Sequence, residues 1–187
     1  MDTVCVTTFV GRIGLAIAAS NPQVLYAIYA DAPGNFLGLW KSTNGGDSWT
    51  RTNDGVLSTM FSSYGWYFAN VRVSPTDPNR VFALGLDVWR STNGGSSWST
   101  ISSGVHVDQH DLWIDPSATT RMVLGSDGGA YRTTNTGSTW AKAQGLPISQ
   151  FYAGTLDPSN PERLYGGLQD NGTVRTMTGA LDDWEEI

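Results

Sequence analysis

Both histidines of this chain lie in the short stretch VHVDQHD, residues 105–111. His106, Asp108 and His110 alternate with other residues, so an extended backbone would place their side chains on one side. Imidazole and carboxylate groups together are ligands for Zn²⁺, Mn²⁺ or Fe²⁺, which predicts a divalent metal site at these three residues. The alternative is structural, with Asp108 orienting one histidine and both imidazoles acting only as hydrogen-bonding groups.

A second set of acidic residues offers hydrolytic chemistry. Asp127 in SDGGAY and Asp170 in LQDNGT occupy equivalent places in the sequence, and Asp87 in GLDVW occupies a third. Glycoside hydrolysis needs two carboxyl groups, one an acid with a raised pKa and the other a base or nucleophile. Asp108, Asp127 and Asp170 are the candidates for this pair. The alternative for Asp87, Asp127 and Asp170 is that they cap tight turns.

Polar and aromatic residues near these aspartates are candidates for substrate contact. Gln169 and Asn171 flank Asp170 and place several hydrogen-bond donors and acceptors together, as a sugar site needs. Trp66 and Tyr152 are the aromatic candidates, because flat apolar ring faces complement sugar rings. The aromatic segment MFSSYGWYF has a structural alternative, as cover for an interface between packed sheets or between subunits.

Composition excludes several classes of function. The 187 residues carry a net charge of −6, which argues against nucleic acid as a partner because phosphate binding needs a basic face. Cys5 is the only cysteine, so no intrachain disulfide can form. No apolar run approaches the roughly 20 residues that span a membrane. The first twenty residues lack a basic start and are interrupted by Arg12, so they predict a first strand rather than a signal peptide.

The elements that position these residues belong to an internal repeat. One motif occurs three times, as LWKSTNGGDSW (39–49), VWRSTNGGSSW (88–98) and AYRTTNTGSTW (130–140). A strand with a Pro-containing turn precedes each copy, and a further such strand, GTLDPSNPERLYGG (154–167), follows. Asn-Gly and Gly-Gly supply the positive φ that hairpin turns need. Four short strands in each unit of roughly 40 to 50 residues predict the blade of a β-propeller.

The motif STNGGDSW resembles the Asp-box, or BNR, repeat of sialidases, xyloglucan-degrading glycosidases and sortilin-type propellers. Asn44, Asn93 and Asn135 stand where that repeat has aspartate. The stretches VHVDQHDLWIDP, GSDGGAYRTTNTGSTW and GGLQDNGTVR are similar to consecutive blades of large exported proteins classed as BNR-repeat glycosyl hydrolases. The resemblance implies a propeller fold, carbohydrate as substrate, and a secreted or periplasmic parent protein whose signal lies outside this sequence. Sialidase activity is not expected, because Arg90 and Arg132 recur at one repeat position instead of forming a converged set.

Four repeat units predict four blades within a single domain, at about 9–50, 66–101, 108–143 and 150–187. Propellers of this type close with about six or more blades, so four blades form half a ring with two open faces. Either the sequence belongs to a longer chain, or two copies associate about a twofold axis to close the ring. We expect the homodimer.

The function predicted is hydrolysis of carbohydrate at the mouth of the propeller channel, with assistance from a divalent metal as an open alternative. A metal at His106, Asp108 and His110 would also activate water for attack on esters or phosphoesters. The non-enzymatic alternative is a propeller that binds a glycan or a protein.

Overall fold

The computed structural model describes residues 10–146, 149–180 and 182–187, which form four antiparallel sheets of four strands each. The first sheet contains β1 (Val10–Ile17), β2 (Leu25–Asp31), β3 (Phe36–Ser42) and β4 (Thr50–Arg51). The second contains β5 (Asn70–Ser74), β6 (Asp77–Leu84), β7 (Val88–Ser91) and β8 (Ser99–Thr100). The third contains β9 (Gln109–Ile114), β10 (Met122–Ser126), β11 (Gly129–Thr133) and β12 (Ala141–Lys142). The fourth contains β13 (Phe151–Asp157), β14 (Asn160–Leu168), β15 (Thr173–Thr176) and β16 (Glu185–Glu186).

Strands follow chain order within every sheet, so each sheet is a meander of tight turns. The predicted all-β architecture of four-stranded blades is confirmed. The start of the predicted first strand, with Cys5, lies outside the described residues. Helical structure in the described part of the chain is a 3-10 turn, Gly55–Leu57, and no helix there is long and apolar enough to cross a membrane.

The turn between the third and fourth strands has the same hydrogen bonds in the first three sheets. In the first sheet, the Ser42 hydroxyl accepts the backbone N–H groups of Asn44 and Gly46, at 3.3 and 2.9 Å. The Asn44 side-chain oxygen accepts the hydroxyl of Ser42 and the N–H of Ser48, at 2.9 and 3.0 Å. The asparagine side-chain oxygen therefore accepts the hydrogen bonds that an aspartate would accept in this turn, without adding a negative charge. The equivalent pairs are Ser91 with Asn93 and Thr133 with Asn135.

Each sheet has a forward face, directed at the sheet that follows in the chain, and a rear face, directed at the sheet before it. The rear face of the second sheet packs on the forward face of the first, in a buried cluster that contains Tyr26, Ile28, Leu39, Val71, Val81 and Ala83. The rear face of the third sheet packs likewise on the second, through Phe82, Leu84, Leu112, Ile114, Met122 and Leu124. First strands contact one another, β1 with β5 and β5 with β9, so they lie on the inner side of the array.

The fourth sheet packs much less tightly on the third. Neither buried cluster contains a residue of the fourth sheet. Trp113 and Val123, on the forward face of the third sheet, are 55% and 44% exposed, and Leu156 on the rear face of the fourth is 55% exposed. The junction between the third and fourth sheets is therefore open, and it contains the candidate site.

Candidate functional site

A cleft of about 1000 Å³ lies between the third and fourth sheets. One wall comes from the segment that leads into β9 and from the β10–β11 turn. The other comes from the segment that leads into β13 and from the β14–β15 turn. The polar side chains that line the cleft include His106, Asp127, Gln150, Gln169, Asp170 and Asn171.

The backbone before β9 is not the extended segment that the alternation of His106, Asp108 and His110 predicts. Asp108 has a φ of +68°, and β9 begins only at Gln109. The N–H groups of Asp108 and Gln109 donate to the carbonyls of Leu86 and Gly85, at 3.1 and 2.8 Å. The turn of the second sheet thus holds this segment in a left-handed kink. The expectation of an extended segment is corrected, because the left-handed backbone at Asp108 interrupts the chain just before β9.

Three carboxylates converge where these segments meet. One oxygen each of Asp108, Asp127 and Asp170 lies within 4.8 Å of the others. Asp127 comes from the β10–β11 turn and Asp170 from the β14–β15 turn, where its φ is +56°. Asp87, at the equivalent repeat position in the second sheet, is not part of this group. It accepts the Ser102 hydroxyl at 2.7 Å, which is the turn-stabilising role.

Burial and like charge act together on Asp108. Burial raises the pKa of its carboxyl group, and the negative charges of Asp127 and Asp170 raise it further. The nearby histidines, His106 and His110, oppose this effect but do not reverse it. Repulsion from two neighbouring carboxylates therefore favours the protonated form of the Asp108 carboxyl group.

The His110 imidazole is paired with Asp127. Its Nε2 atom contacts one carboxylate oxygen of Asp127. The ring packs edge-on against Tyr67, with 5.1 Å between ring centroids, and tilted against Phe68 at 5.9 Å. Asn70 donates its side-chain amide to the His110 carbonyl at 2.8 Å. These contacts fix the imidazole, which in turn fixes one oxygen of Asp127.

His106 points both ring nitrogens at backbone carbonyls. Nδ1 lies 3.0 Å from the Val107 oxygen and Nε2 lies 3.1 Å from the Asp170 oxygen. A neutral imidazole carries one N–H, so both hydrogen bonds form only when the ring is protonated. These bonds, with the one to Val107 foremost, raise the pKa of His106 against the opposing effect of burial. A ring that donates from both nitrogens has no lone pair to offer a metal.

The structure therefore groups the metal candidates differently from the sequence motif. In the described part of the chain, the cluster of possible ligands within 4.8 Å is Asp108, Asp127 and Asp170. Such an all-oxygen set suits a hard cation such as Mg²⁺, Ca²⁺ or Mn²⁺ better than Zn²⁺. Metal binding itself remains a prediction, both at these aspartates and at the His106, Asp108 and His110 set.

The predicted substrate-contacting residues surround the cleft unevenly. Gln169 lines it, whereas the Asn171 amide is engaged, donating to the carbonyls of Asp127 and Gln169 at 3.0 and 2.8 Å. Trp66 is 54% exposed, in contact with Tyr67, which lines the cleft. Tyr152 is 72% exposed on β13.

Sequence reasoning missed several cleft residues, among them Gln150 and Glu186. Gln150 lies in the segment before β13, and Glu186 lies on the outermost strand of the fourth sheet. Glu186 pairs with Val174 of β15, which brings it to the cleft. The available signal was the spacing of the repeat, which places a short fourth strand at the end of the unit.

Solved structures with a similar fold include enzymes and other proteins. The GH74 enzyme of Niastella koreensis aligns over 94% of this chain and 29% of its own length, at 23% identity and a TM-score of 0.60. The GH74 xyloglucanase from Xanthomonas campestris aligns over 92% of this chain and 37% of its own, at 16% identity and a TM-score of 0.53. YCF48 from Cyanidioschyzon merolae aligns over 97% of this chain and 57% of its own, at 16% identity and a TM-score of 0.53.

No protein-family model matches the sequence, and no curated protein matches it significantly. The chain spans less than two thirds of the length of each of these three structures. At 23% identity or lower, the likenesses establish the fold and leave the activity open. Together with the four sheets of four ordered strands, they confirm the predicted all-β propeller fold.

Proposed function

We propose that the cleft between the third and fourth sheets hydrolyses glycosidic bonds of a polysaccharide. The observation that carries this proposal is the convergence of Asp108, Asp127 and Asp170 within 4.8 Å beside a cleft of about 1000 Å³. A cleft of this size is at the upper end of the range for ligand pockets and has room for more than one sugar ring. The GH74 enzymes among the similar structures support carbohydrate as the substrate class.

Asp108 acts as the general acid in this proposal. A general acid must hold its proton near the working pH, and burial beside two carboxylates raises the pKa of Asp108 accordingly. Asp127 is the second carboxylate. Its contact with His110 holds one oxygen in place and stabilises the negative charge, which leaves the other oxygen to face the substrate.

The separation of the carboxylates favours one stereochemical course. Retaining glycosidases hold their two carboxyl groups about 5–5.5 Å apart, whereas inverting enzymes need about 6.5–9.5 Å to admit a water molecule. Oxygens of Asp108 and Asp127 within 4.8 Å of each other lie closer together than the inverting separation. Asp127 then attacks the anomeric carbon as the nucleophile while Asp108 protonates the leaving oxygen. Water later hydrolyses the glycosyl ester, with Asp108 as the base.

Aromatic and amide side chains provide the sugar contacts in this proposal. Tyr67 lines the cleft and touches Trp66, so the two rings extend the cleft wall with apolar surface. Gln169 offers an amide at the cleft surface. In this proposal the exposed Tyr152 ring stacks on a sugar ring farther along the polysaccharide. Xyloglucan is the first substrate to test, because one of the similar structures is a xyloglucanase.

A glycan-binding propeller without catalysis is the second candidate. The side chains of Asn171 and His106 form hydrogen bonds with backbone carbonyls across the cleft. These bonds favour a rigid binding surface. A hard cation held by the three aspartates would serve this function or a metal-dependent ester hydrolysis.

The test is release of reducing ends from xyloglucan, with binding measured in parallel by calorimetry. We expect Asp108→Asn to lower kcat by at least ~100-fold with sugar affinity retained, because the amide cannot supply the proton. Asp87→Asn is the matched control, since Asp87 occupies the same repeat position in the second sheet and contacts Ser102. Proton NMR of the first product reports whether the anomeric configuration is retained.

The outcomes separate the candidates. Binding without product in the wild type supports the glycan-binding function and contradicts hydrolysis. Product formation that stops with EDTA and returns with Mg²⁺ or Mn²⁺ supports a metal at the aspartates. Neither binding nor product on xyloglucan and related β-glucans contradicts the carbohydrate proposal.

A further inference from the structure

The rear face of the first sheet is an apolar surface whose inner-strand residues are exposed in the described part of the chain. Its inner strand presents Ile13, Leu15 and Ile17, which are 47%, 63% and 61% exposed. Register pairs Leu15 with Ala27 and Ile17 with Leu25, so both strands contribute to one face. Exposed aliphatic residues in a continuous row on a sheet mark a surface that another element covers.

The repeat identifies what kind of element covers it. In the second sheet, the residues at the same positions are Val71, Val73, Val81, Ala83 and Trp89. Of these, Val71, Val81 and Ala83 are fully buried against the first sheet. Trp40 of the first sheet pairs with Ala27 just as Trp89 pairs with Ala83. The open face is therefore a blade-packing face, and its complement is the forward face of another four-stranded sheet.

The fourth sheet of this chain offers a forward face of the required kind. Tyr165 and Arg175 are paired across β14 and β15 there. The first sheet has Tyr26 and Lys41 at the same positions, also paired. Both forward faces therefore carry an aromatic residue that is paired with a basic residue on the neighbouring strand.

Tyr26 and Lys41 show what such a pair does when a sheet follows. The Tyr26 hydroxyl donates to the Pro78 carbonyl at 2.9 Å. The Lys41 ammonium donates to the Asn79 side chain, also at 2.9 Å. Both acceptors lie at the start of β6, just after the turn between the first two strands of the second sheet. In the first sheet, the equivalent residues of the repeat are Pro22 and Gln23, between β1 and β2.

We propose that two copies of this chain pair about a twofold axis, with the fourth sheet of each protomer packed on the first sheet of the other. The contact repeats the packing of the first sheet on the second, already present within one chain. Tyr165 then donates to the carbonyl of Pro22 of the partner subunit, and Arg175 reaches Gln23 of the partner subunit. A twofold arrangement covers the exposed face of the first sheet in both copies with one and the same contact.

The experiment is the mass in solution of the 187-residue chain, measured by light scattering and by sedimentation equilibrium. The expected result is a dimer at micromolar concentration. Leu15→Glu should raise the dimer dissociation constant by at least ~100-fold, because the new carboxylate is buried without a partner only in the dimer. Val56→Glu is the matched control, since Val56 is 57% exposed and lies in the 3-10 turn rather than on a strand of the first sheet.

A second variant guards against misfolding of the first. Tyr165→Phe removes one hydroxyl and should weaken the dimer by about fivefold, the effect of one hydrogen bond. Far-UV circular dichroism must match the wild type for either variant to count. A cooperatively melting monomer, an assembly larger than two chains, or a dimer that Leu15→Glu and Tyr165→Phe leave unchanged would each overturn the proposal.

Discussion

The junction between the second and third sheets and the junction between the third and fourth are built from the same repeat, yet they differ in packing. At the former, Phe82 and Leu84 of the second sheet are fully buried against the third. At the latter, the equivalent forward-face position holds Val123, which is 44% exposed. One junction is a dry apolar contact, and the other is an open cleft.

Polar contacts show the same contrast. The second and third sheets share an ion pair between Arg72 and Asp111 at 2.6 Å, and Trp140 donates to the Ile101 carbonyl at 2.6 Å. Between the described parts of the third and fourth sheets, the hydrogen bonds are those of His106 to Asp170 and of Asn171 to Asp127. Both run from a side chain to a backbone carbonyl at the site itself. The same repeat therefore stabilises the junction between the second and third sheets and leaves room for a ligand between the third and fourth.

The largest effect should come from truncating the tight junction. Phe82→Ala removes a fully buried ring and should lower the free energy of unfolding by about 3–5 kcal/mol. Val123→Ala, at the equivalent position of the open junction, should cost about 1 kcal/mol or less, because the side chain is already half in water. Urea denaturation of both variants measures the difference. Equal losses would mean that the two junctions are packed alike in solution.

The sequence is sufficient to predict the tight junctions, because they follow from local signals. Alternating apolar residues such as Val71, Val73 and Val81 define strands and their buried faces. Asn-Gly and Gly-Gly define the turns, and Gly95 shows why: its φ is +91°, and a Cβ there would lie 2.6 Å from Thr52. Because the same signals recur along the chain, they predict four blades of the same kind.

The geometry of the candidate site depends on features that the sequence does not encode locally. Repeat position singled out Asp127 and Asp170, and motif analysis singled out Asp108, but none of this gives their separation. Convergence follows from the angle between two sheets and from the left-handed backbone at Asp108 and Asp170. The pairing of His110 with Asp127 spans 17 residues and was hidden by the apparent H-x-D-x-H spacing.

A smaller effect should come from cutting one of the bonds that hold the open junction. Asn171→Ala removes the amide that donates to the Asp127 carbonyl and should cost about 1 kcal/mol in stability. The loss should be local, so hydrogen exchange should speed up in β13–β16 and stay unchanged in β5–β8. Asn53→Ala, which removes a 3.2 Å amide bond to the Ser96 carbonyl between the first and second sheets, is the control for a closed junction. Acceleration across all four sheets would show that the fourth sheet does not open independently.

The smallest effect should be a pH dependence of the open junction. The pKa of His106 is raised in the folded protein, so its stabilising bonds are fully present below the unfolded pKa of about 6.5. These bonds are lost as the pH rises through the higher pKa that His106 has in the folded protein. Hydrogen exchange at residues 168–172 should therefore be slower at pH 5.5 than expected from the intrinsic rates, and the protection should fade toward pH 8. The pKa of Asp108 is also raised, so its ionisation destabilises the folded state in the same direction but begins at a lower pH.

Two variants separate these contributions to the pH dependence. His106→Gln keeps one donor and has no charge, so it should abolish the pH dependence above about 6.5 while leaving the part due to Asp108. Asp108→Asn should remove the part of the pH dependence that is due to Asp108 and leave the part above about pH 6.5. If His106→Gln leaves the exchange profile of residues 168–172 unchanged between pH 5.5 and 8, the imidazole does not bridge the two sheets. The cleft would then be held by Asn171 alone, and its width would respond to ligand rather than to protonation.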